Sequence, residues 1–298
     1  MTARGMVHAL LTMILGALFV SAARPLAPIG GMAHRLDRML DYAALENIVR
    51  EAGQMALSHW PGHGHAPQVW EKTPGSPVCE ADIAVDAFLK RELGALLPSA
   101  GWLSEETVDH PERLERGLCW LVDPVDGTRD FIRGRPGWCV SVGLVSAGRP
   151  LIGMMSAPAR DEFWFATAGQ GASRNGLPLR ASTRTTLPGA RVPADALAKV
   201  DQDLVLVDKP NSIALRIAMV AANQADLLAT LRWGFEWDIA AATLIAREAG
   251  AAVSDAFGAP LDYNKRDPRA FGLLVTSPAI HAAAVDRLAE RAARLVKE

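Results

Sequence analysis

Apolar residues recur at helical spacing over 42–60, where Leu45, Ile48, Val49, Ala52, Met55 and Ala56 share one side. This spacing predicts an amphipathic helix. Residues 61–67, PGHGHAP, read as a loop. A second helix is expected over 80–97, lined by Ile83, Val85, Phe88, Leu89, Leu93 and Leu96 and stopped by Pro98. A short strand is expected at 102–104. The unbroken apolar run 117–122 has the pattern of a strand buried on both faces. Strands at 140–146 and 151–155 flank Ala147-Gly148, a hairpin signal, and 162–166 continues that sheet. Asn175-Gly176 is a strong turn signal. From about 180 the pattern changes. Strands at 204–207, 227–230, 251–254 and 271–276 alternate with helices at 212–223, 237–249 and 279–296, and Gly250 is placed to cap the second of these. The first half therefore reads as α+β with an antiparallel sheet, and the second as α/β.

Length and composition set bounds on this picture. The chain has 298 residues, half of them hydrophobic and 21% charged. That composition excludes a wholly disordered chain and is long enough for two domains. We expect an α+β part over 34–180 and an α/β part over 181–298 that completes the active site. Lys and Arg number 31 against 33 Asp and Glu. A net charge of −2 excludes broad electrostatic attraction to a nucleic-acid polymer, but not a local basic pocket. Cys79, Cys119 and Cys139 offer neither a disulfide framework nor a thiolate zinc spacing, which fits a reducing, cytoplasmic compartment. Residues 7–20, VHALLTMILGALFV, follow Arg4 and precede Ser21-Ala22-Ala23. The run resembles a secretory signal and is too short for a confident membrane span. Either it is a working segment, which would mean membrane association or export, or the true start is Met32. Residues 1–33 are excluded from the fold on both readings. His59, His63 and His65 lack a local carboxylate or thiol partner and read as a flexible loop.

The chemistry concentrates in Trp120-Leu-Val-Asp123-Pro-Val-Asp126-Gly-Thr128. A buried strand ends in two carboxylates that would repel each other. A hard divalent cation resolves that repulsion, because Mg²⁺ takes oxygen ligands and keeps waters for phosphate. Gly127 lets backbone approach closely, and Thr128 can open a helix whose N–H groups receive a phosphate. Taken alone, Asp-Pro-x-Asp-Gly reads better as a turn. Glu105-Glu106 after a short strand, Asp82 at a helix start and Trp237-Asp238 at another change that weighting. Each has an ordinary reading singly, as a solvated pair or a helix cap. The four together point to a metal site.

The set resembles the inositol monophosphatase superfamily of Mg²⁺-dependent phosphomonoesterases. The residues that carry the resemblance are Ser104-Glu105-Glu106, then Asp123-Pro124-Val125-Asp126-Gly127-Thr128, then Trp237-Asp238-Ile239-Ala240-Ala241, over roughly 42–290. It implies a layered αβαβα sandwich and two or three Mg²⁺ ions. Glu105, Asp123 and the carbonyl of Val125 would hold the first metal, and Asp126 and Asp238 would join Asp123 around the second. Asp82 and Thr128 would orient the attacking water, with Glu105 in the catalytic group. Gly127 and Thr128 would bind phosphate, and Lys72 matches the lysine upstream of Asp82. Ser104 and Cys79 depart from the commoner Gly and Thr. Neither would ligate metal, and Cys79 reads as a small buried hydrophobe rather than a nucleophile.

Within that superfamily, Arg129-Asp130-Phe131-Ile132, Glu236 and Leu261-Asp-Tyr263-Asn264-Lys265 look most like the 3′(2′),5′-bisphosphate nucleotidases. This implies adenosine 3′,5′-bisphosphate as substrate, with AMP and phosphate as products. Arg129, Arg133, Arg135, Lys209 and Lys265 are candidate partners for the second phosphate, though Arg133 and Arg135 read better as solvated surface cations. Trp237 is expected beside the metals, and Asn211-Ser212 at a helix start. Inositol 1-phosphate and histidinol phosphate are alternative substrates, and a non-catalytic phosphate-binding protein is the alternative of another class. The expected partner is a small phosphorylated metabolite, with no stable membrane partner, and a homodimer is compatible with the resemblance. The assembly requires Asp238 to lie close to Asp123.

Overall fold

The computed structural model describes residues 40–64, 67–73 and 76–297. The apolar segment within 1–33 and the loop residue His65 lie outside the described residues. The chain begins with helix α1 (Tyr42–Ser58), hairpin strands β1 (Val69–Thr73) and β2 (Ser76–Cys79), helix α2 (Glu80–Leu96) and strand β3 (Gly101–Ser104). Next come β4 (Cys119–Asp126), the short helix α3 (Thr128–Ile132), β5 (Cys139–Ser146), β6 (Arg149–Ala157), β7 (Glu162–Thr167), β8 (Ala172–Arg174) and β9 (Leu177–Pro178). The second half contains β10 (Arg191–Pro193), β11 (Val205–Val207), α4 (Ile213–Ala221), β12 (Leu227–Phe235), α5 (Glu236–Glu248), β13 (Ala252–Ser254), β14 (Arg269–Thr276) and α6 (His281–Leu295).

Strands β3 to β9 form one sheet in sequential order, antiparallel except for the β3–β4 pair. Residues Ala147 and Gly148, and again Asn175 and Gly176, take positive φ at the β5–β6 and β8–β9 turns, so both expected hairpins form. The second half holds a three-stranded antiparallel sheet, β12-β14-β13, and a short parallel pair, β10-β11.

Two glycines explain how the layers come together. Gly143 on β5 and Gly153 on β6 are paired across the sheet and face α5. A Cβ on Gly153 would lie 2.5 Å from the carbonyl oxygen of Ala241, and one on Gly143 would lie 3.1 Å from Cβ of Ala240. The helix therefore rides directly on the sheet backbone, with alanines against glycines. Ser156 points to the other face, because side chains alternate along a strand, and there α1 approaches through Gly53. Helices α1 and α2 thus cover one face and α4 and α5 the other. The β12-β14-β13 sheet packs beyond α4 and α5, and α6 closes its outer side through Ala284 and Leu288, with Ile280 just before the helix, against Leu227 and Leu274. The order of layers is αβαβα, as expected for the fold class.

Two elements depart from the sequence pattern. Nothing in the periodicity announces β1 and β2, whose hairpin has exposed Val69 and Trp70 on one strand and buried Val78 and Cys79 on the other. Strand β12 runs to Phe235, well past the expected 227–230, with a register shift between Thr230 and Trp233. Its second half is largely exposed, so it lacks the apolar run that marks a buried strand.

Candidate active site and metal centre

Strand parity decides which acids meet. On β4, Asp123 pairs with Ser141, which lies on the same face as Gly143 and so faces α5. Asp126 is three residues further on, and a regular strand would turn it to the opposite face. A register shift between Asp123 and Asp126 inserts one extra residue, and Asp126 pairs with Cys139. This bulge returns Asp126 to the side that Asp123 occupies. The parallel pairing of β3 with β4 aligns Ser104 with Val122, so the next residue, Glu105, lies beside Asp123. Its amide donates to the Val122 carbonyl, at 3.2 Å. Helix α5 delivers Asp238 in its first turn.

Oxygens of Glu105, Asp123 and Asp238 lie within 4.8 Å of one another. Asp123 accepts the Val125 amide at 3.0 Å, and Asp238 accepts the Phe235 amide at 3.4 Å. Among the described residues, neither is paired with a cation. Burial pushes the Asp123 carboxyl well above its ordinary range, and the charges of Glu105, Asp126 and Asp238 add to this. Asp238 is raised in the same direction by burial and by Asp126 and Glu105. Clustered carboxylates without a counter-charge are unfavourable, and an all-oxygen cluster suits a hard divalent cation. The donor set therefore fits the expected metal.

Asp126 is held differently. It accepts the Ser212 hydroxyl and the amides of Ala214 at 2.7 Å and Ile213 at 3.3 Å, at the start of α4. Burial raises its carboxyl to about 6 against these donors. Gly127 follows with φ of 98°, and a Cβ there would lie 2.6 Å from the Gly137 carbonyl. Only glycine fits that turn. Thr128 Oγ1 lies 3.1 Å from the Val125 carbonyl and 3.5 Å from Asp82 Oδ1. Asp82 Oδ2 takes the Cys79 amide and thiol, both at 2.8 Å, and burial pushes its carboxyl up to about 6. Burial also drives the Cys79 thiol far up, which suits a packed thiol and not a thiolate nucleophile.

Lys72, on β1, donates to Glu105 at 3.2 Å and to Glu106. Glu106 is nearly buried and is pushed up to about 7, chiefly by burial. A cavity of about 260 Å³ opens over these groups, lined by Glu105, Asp123, Val125, Asp126, Gly127, Thr128, Arg129 and Asp238 together with Asn211 and Trp237. Trp237 stacks on Phe235, with ring centroids 4.4 Å apart.

Lys265 is placed elsewhere. Its ammonium pairs with Glu236 at 3.1 Å and donates to the Arg269 carbonyl, and it is not among the residues lining this cavity. Glu236 is fully buried and takes the amides of Asn264 and Lys265, while Arg113 binds the Asn264 side chain and the Lys265 carbonyl. The hydroxyl of Tyr263 is engaged by Thr243. These residues hold a loop together, and Lys265, expected to meet the substrate's second phosphate, is instead paired with Glu236.

Sequence reasoning missed several groups. Asp86, one turn along α2 from Asp82, accepts the hydroxyls of Ser104 and Thr107 on either side of the acidic pair. Arg216 and Arg232 also line the acidic cavity. Arg216 had a signal, as the lone charge in the otherwise apolar Ile213–Ala221.

Residues 37–297 match the profile of the inositol monophosphatase family. The chain belongs to that family. Among curated relatives, the 3′(2′),5′-bisphosphate nucleotidase CysQ of Escherichia coli K12 is 32% identical over 237 residues, 77% of this chain and 95% of the relative. Inositol monophosphatase 3 of Solanum lycopersicum is 32% identical over 208 residues, 63% of this chain and 77% of the relative. Among solved structures, an IMPase of Thermotoga maritima aligns with a TM-score of 0.73 at 26% identity, covering 88% of this chain and 99% of that one. The protein is thus an inositol monophosphatase family phosphatase, with an acidic cluster suited to metal. Among the described residues, no helix is long and apolar enough to cross a membrane.

Proposed function

We propose that this family member is a Mg²⁺-dependent phosphomonoesterase that hydrolyses adenosine 3′,5′-bisphosphate to AMP and phosphate. The convergence of Glu105, Asp123 and Asp238 within 4.8 Å carries the metal-dependent part of the reading. Glu105 and Asp123, with the Val125 carbonyl, would hold one cation, and Asp123, Asp126 and Asp238 a second, with room in the acid set for a third. Bound cations would neutralise the phosphate, activate water and stabilise the leaving oxygen. Asp82 and Thr128 orient the water: the hydroxyl can donate to Asp82 or to the Val125 carbonyl, which leaves an oxygen lone pair for the incoming molecule. Glu105 acts beside them, and Lys72 holds its carboxylate in place. Gly127 and Thr128 bring backbone close to the phosphate.

The choice of substrate rests on the likeness to CysQ and on Arg129 in the cavity wall. Inositol 1-phosphate is the second reading, favoured by the tomato relative. The deciding experiment is phosphate release from adenosine 3′,5′-bisphosphate, inositol 1-phosphate, fructose 1,6-bisphosphate and histidinol phosphate, each with Mg²⁺ and with chelator. We expect the adenosine ester to have the highest kcat/KM and chelator to abolish turnover. A better inositol ester would overturn the nucleotidase reading. No release from any ester would favour a non-catalytic phosphate-binding protein.

A further inference from the structure

Helix α2 carries two buried acids four residues apart, so Asp82 and Asp86 share one face. Asp82 is held by the Cys79 amide and thiol. Asp86 is 7% exposed, and among the described residues it has no ion-pairing partner. A carboxylate so placed is unfavourable unless other donors satisfy its oxygens. Its donors are the hydroxyl of Ser104 on Oδ1 and that of Thr107 on Oδ2, the latter at 2.6 Å. These two residues bracket Glu105, which joins the acid cluster, and Glu106, which pairs with Lys72. A carboxylate only accepts hydrogen bonds, so both hydroxyl protons are directed at Asp86. The Ser104 oxygen is thereby left to take the Glu106 amide, at 3.4 Å.

We propose that Asp86 is a positioning residue for the acidic centre: it clamps both ends of the 104–107 turn to α2, so that Glu105 stays within reach of Asp123 and Asp238. The proposal rests on the metal-dependent reading above and adds to it a residue outside the cavity wall, which acts only through the turn. Lys72 does not supply this by itself. It meets the ends of the two glutamate side chains from a partly exposed position on β1, and so draws the carboxylates together without fixing their backbone. Strand pairing holds the chain only as far as the Glu105 amide, on the Val122 carbonyl. Beyond that point the Thr107 hydroxyl returns the chain to α2, which packs on β4. Asp82 stands on the same helix face. One rigid element therefore sets the distance between the Glu105 turn and the carboxylate assigned above to the attacking water.

The test uses the full chain and Mn²⁺ as the probe metal, with free Mn²⁺ counted by electron paramagnetic resonance in the absence of substrate. Thr107→Val keeps the volume of the side chain and removes its donor. It should weaken Mn²⁺ binding about tenfold, the low end of what groups that orient metal ligands contribute. Thr107→Ser keeps the donor, loses a methyl group and should bind Mn²⁺ nearly as the unmodified chain does. Packing alone would give the reverse order. Asp86→Asn should resemble the valine variant. Amide hydrogen exchange in EDTA supplies a readout that needs no metal: protection at 105–107 should fall in both weakened variants while that of α1 is kept. Unchanged Mn²⁺ affinity in Thr107→Val and Asp86→Asn overturns the proposal, as does a serine variant weaker than the valine one. If the unmodified chain binds no Mn²⁺, the metal reading fails, and exchange at 105–107 still decides whether Asp86 fixes the turn.

Discussion

Ser212 donates its hydroxyl to Asp126 and accepts the Leu215 amide at 2.9 Å, so one side chain both starts α4 and supports a carboxylate that lines the acidic cavity. The two halves of the chain are joined chemically at this point, because Asp126 ends β4 while Ser212 belongs to the second half. Ser212→Ala should cost about 1 kcal/mol through loss of the cap. It also removes a donor that lowers the Asp126 carboxyl, so that group should rise further above about 6. Protons then compete better with metal. The Mg²⁺ concentration for half-maximal activity should increase several-fold, more at pH 6 than at pH 8, as a metal titration at the two pH values would read.

Asp123→Asn should abolish turnover in a folded chain. Asp123 clusters with Glu105 and Asp238, and its charge is unfavourable unless a cation is present. The metal-free variant should therefore melt at or above the unmodified metal-free protein, while its stabilisation by Mg²⁺ largely disappears. Thermal melts in EDTA and in Mg²⁺, beside a phosphate-release assay, check both halves. Ordinary turnover would remove Asp123 from the metal site.

The acidic cluster makes metal-free stability depend on pH. Asp82 and Asp126 are raised to about 6 and Glu106 to about 7, chiefly by burial, and Asp123 and Asp238 are raised well above their ordinary range by the same cause. A carboxyl with a raised folded pKa binds protons more readily folded than unfolded. Its contribution is fully present below the unfolded value, about 4, and is lost as pH rises through the folded value. In EDTA the melting temperature should fall between about pH 5 and 8. Saturating Mg²⁺ should flatten or reverse the trend. Calorimetry across that range would show a pH-independent metal-free melt if the cluster were not coupled to folding.

Lys265→Ala should act through stability rather than substrate choice. The lysine neutralises the fully buried Glu236, which in turn holds the Asn264 and Lys265 amides. Removing one partner of a largely buried pair leaves an uncompensated carboxylate, here at a cost of about 1–3 kcal/mol because the lysine is partly exposed. Bisphosphate and monophosphate hydrolysis should decline together. A selective loss for the bisphosphate would return Lys265 to the substrate side.

The main helices and the central strands were legible in local pattern. The periodicity of α1 and α2, the apolar run of β4 and the two positive-φ hairpins follow from nearest-neighbour physics, which the chain states residue by residue. So does the acid inventory, since Asp82, Glu105, Asp123, Asp126 and Asp238 sit at the ends or starts of predicted elements. What no local pattern could settle was which of these acids meet. A spacing of three between Asp123 and Asp126 puts them on opposite faces of a regular strand, and only the bulge brings them to one side. Asp238 reaches them because Ala240 and Ala241 ride on Gly143 and Gly153, a contact between residues far apart in the chain. Cations were the least legible class. Lys265 and Arg133 look alike in sequence, yet one is tied to a buried glutamate and the other lines a cavity without a partner. A long charged side chain takes its role from whatever charge the fold brings within reach, and that is fixed only by tertiary packing.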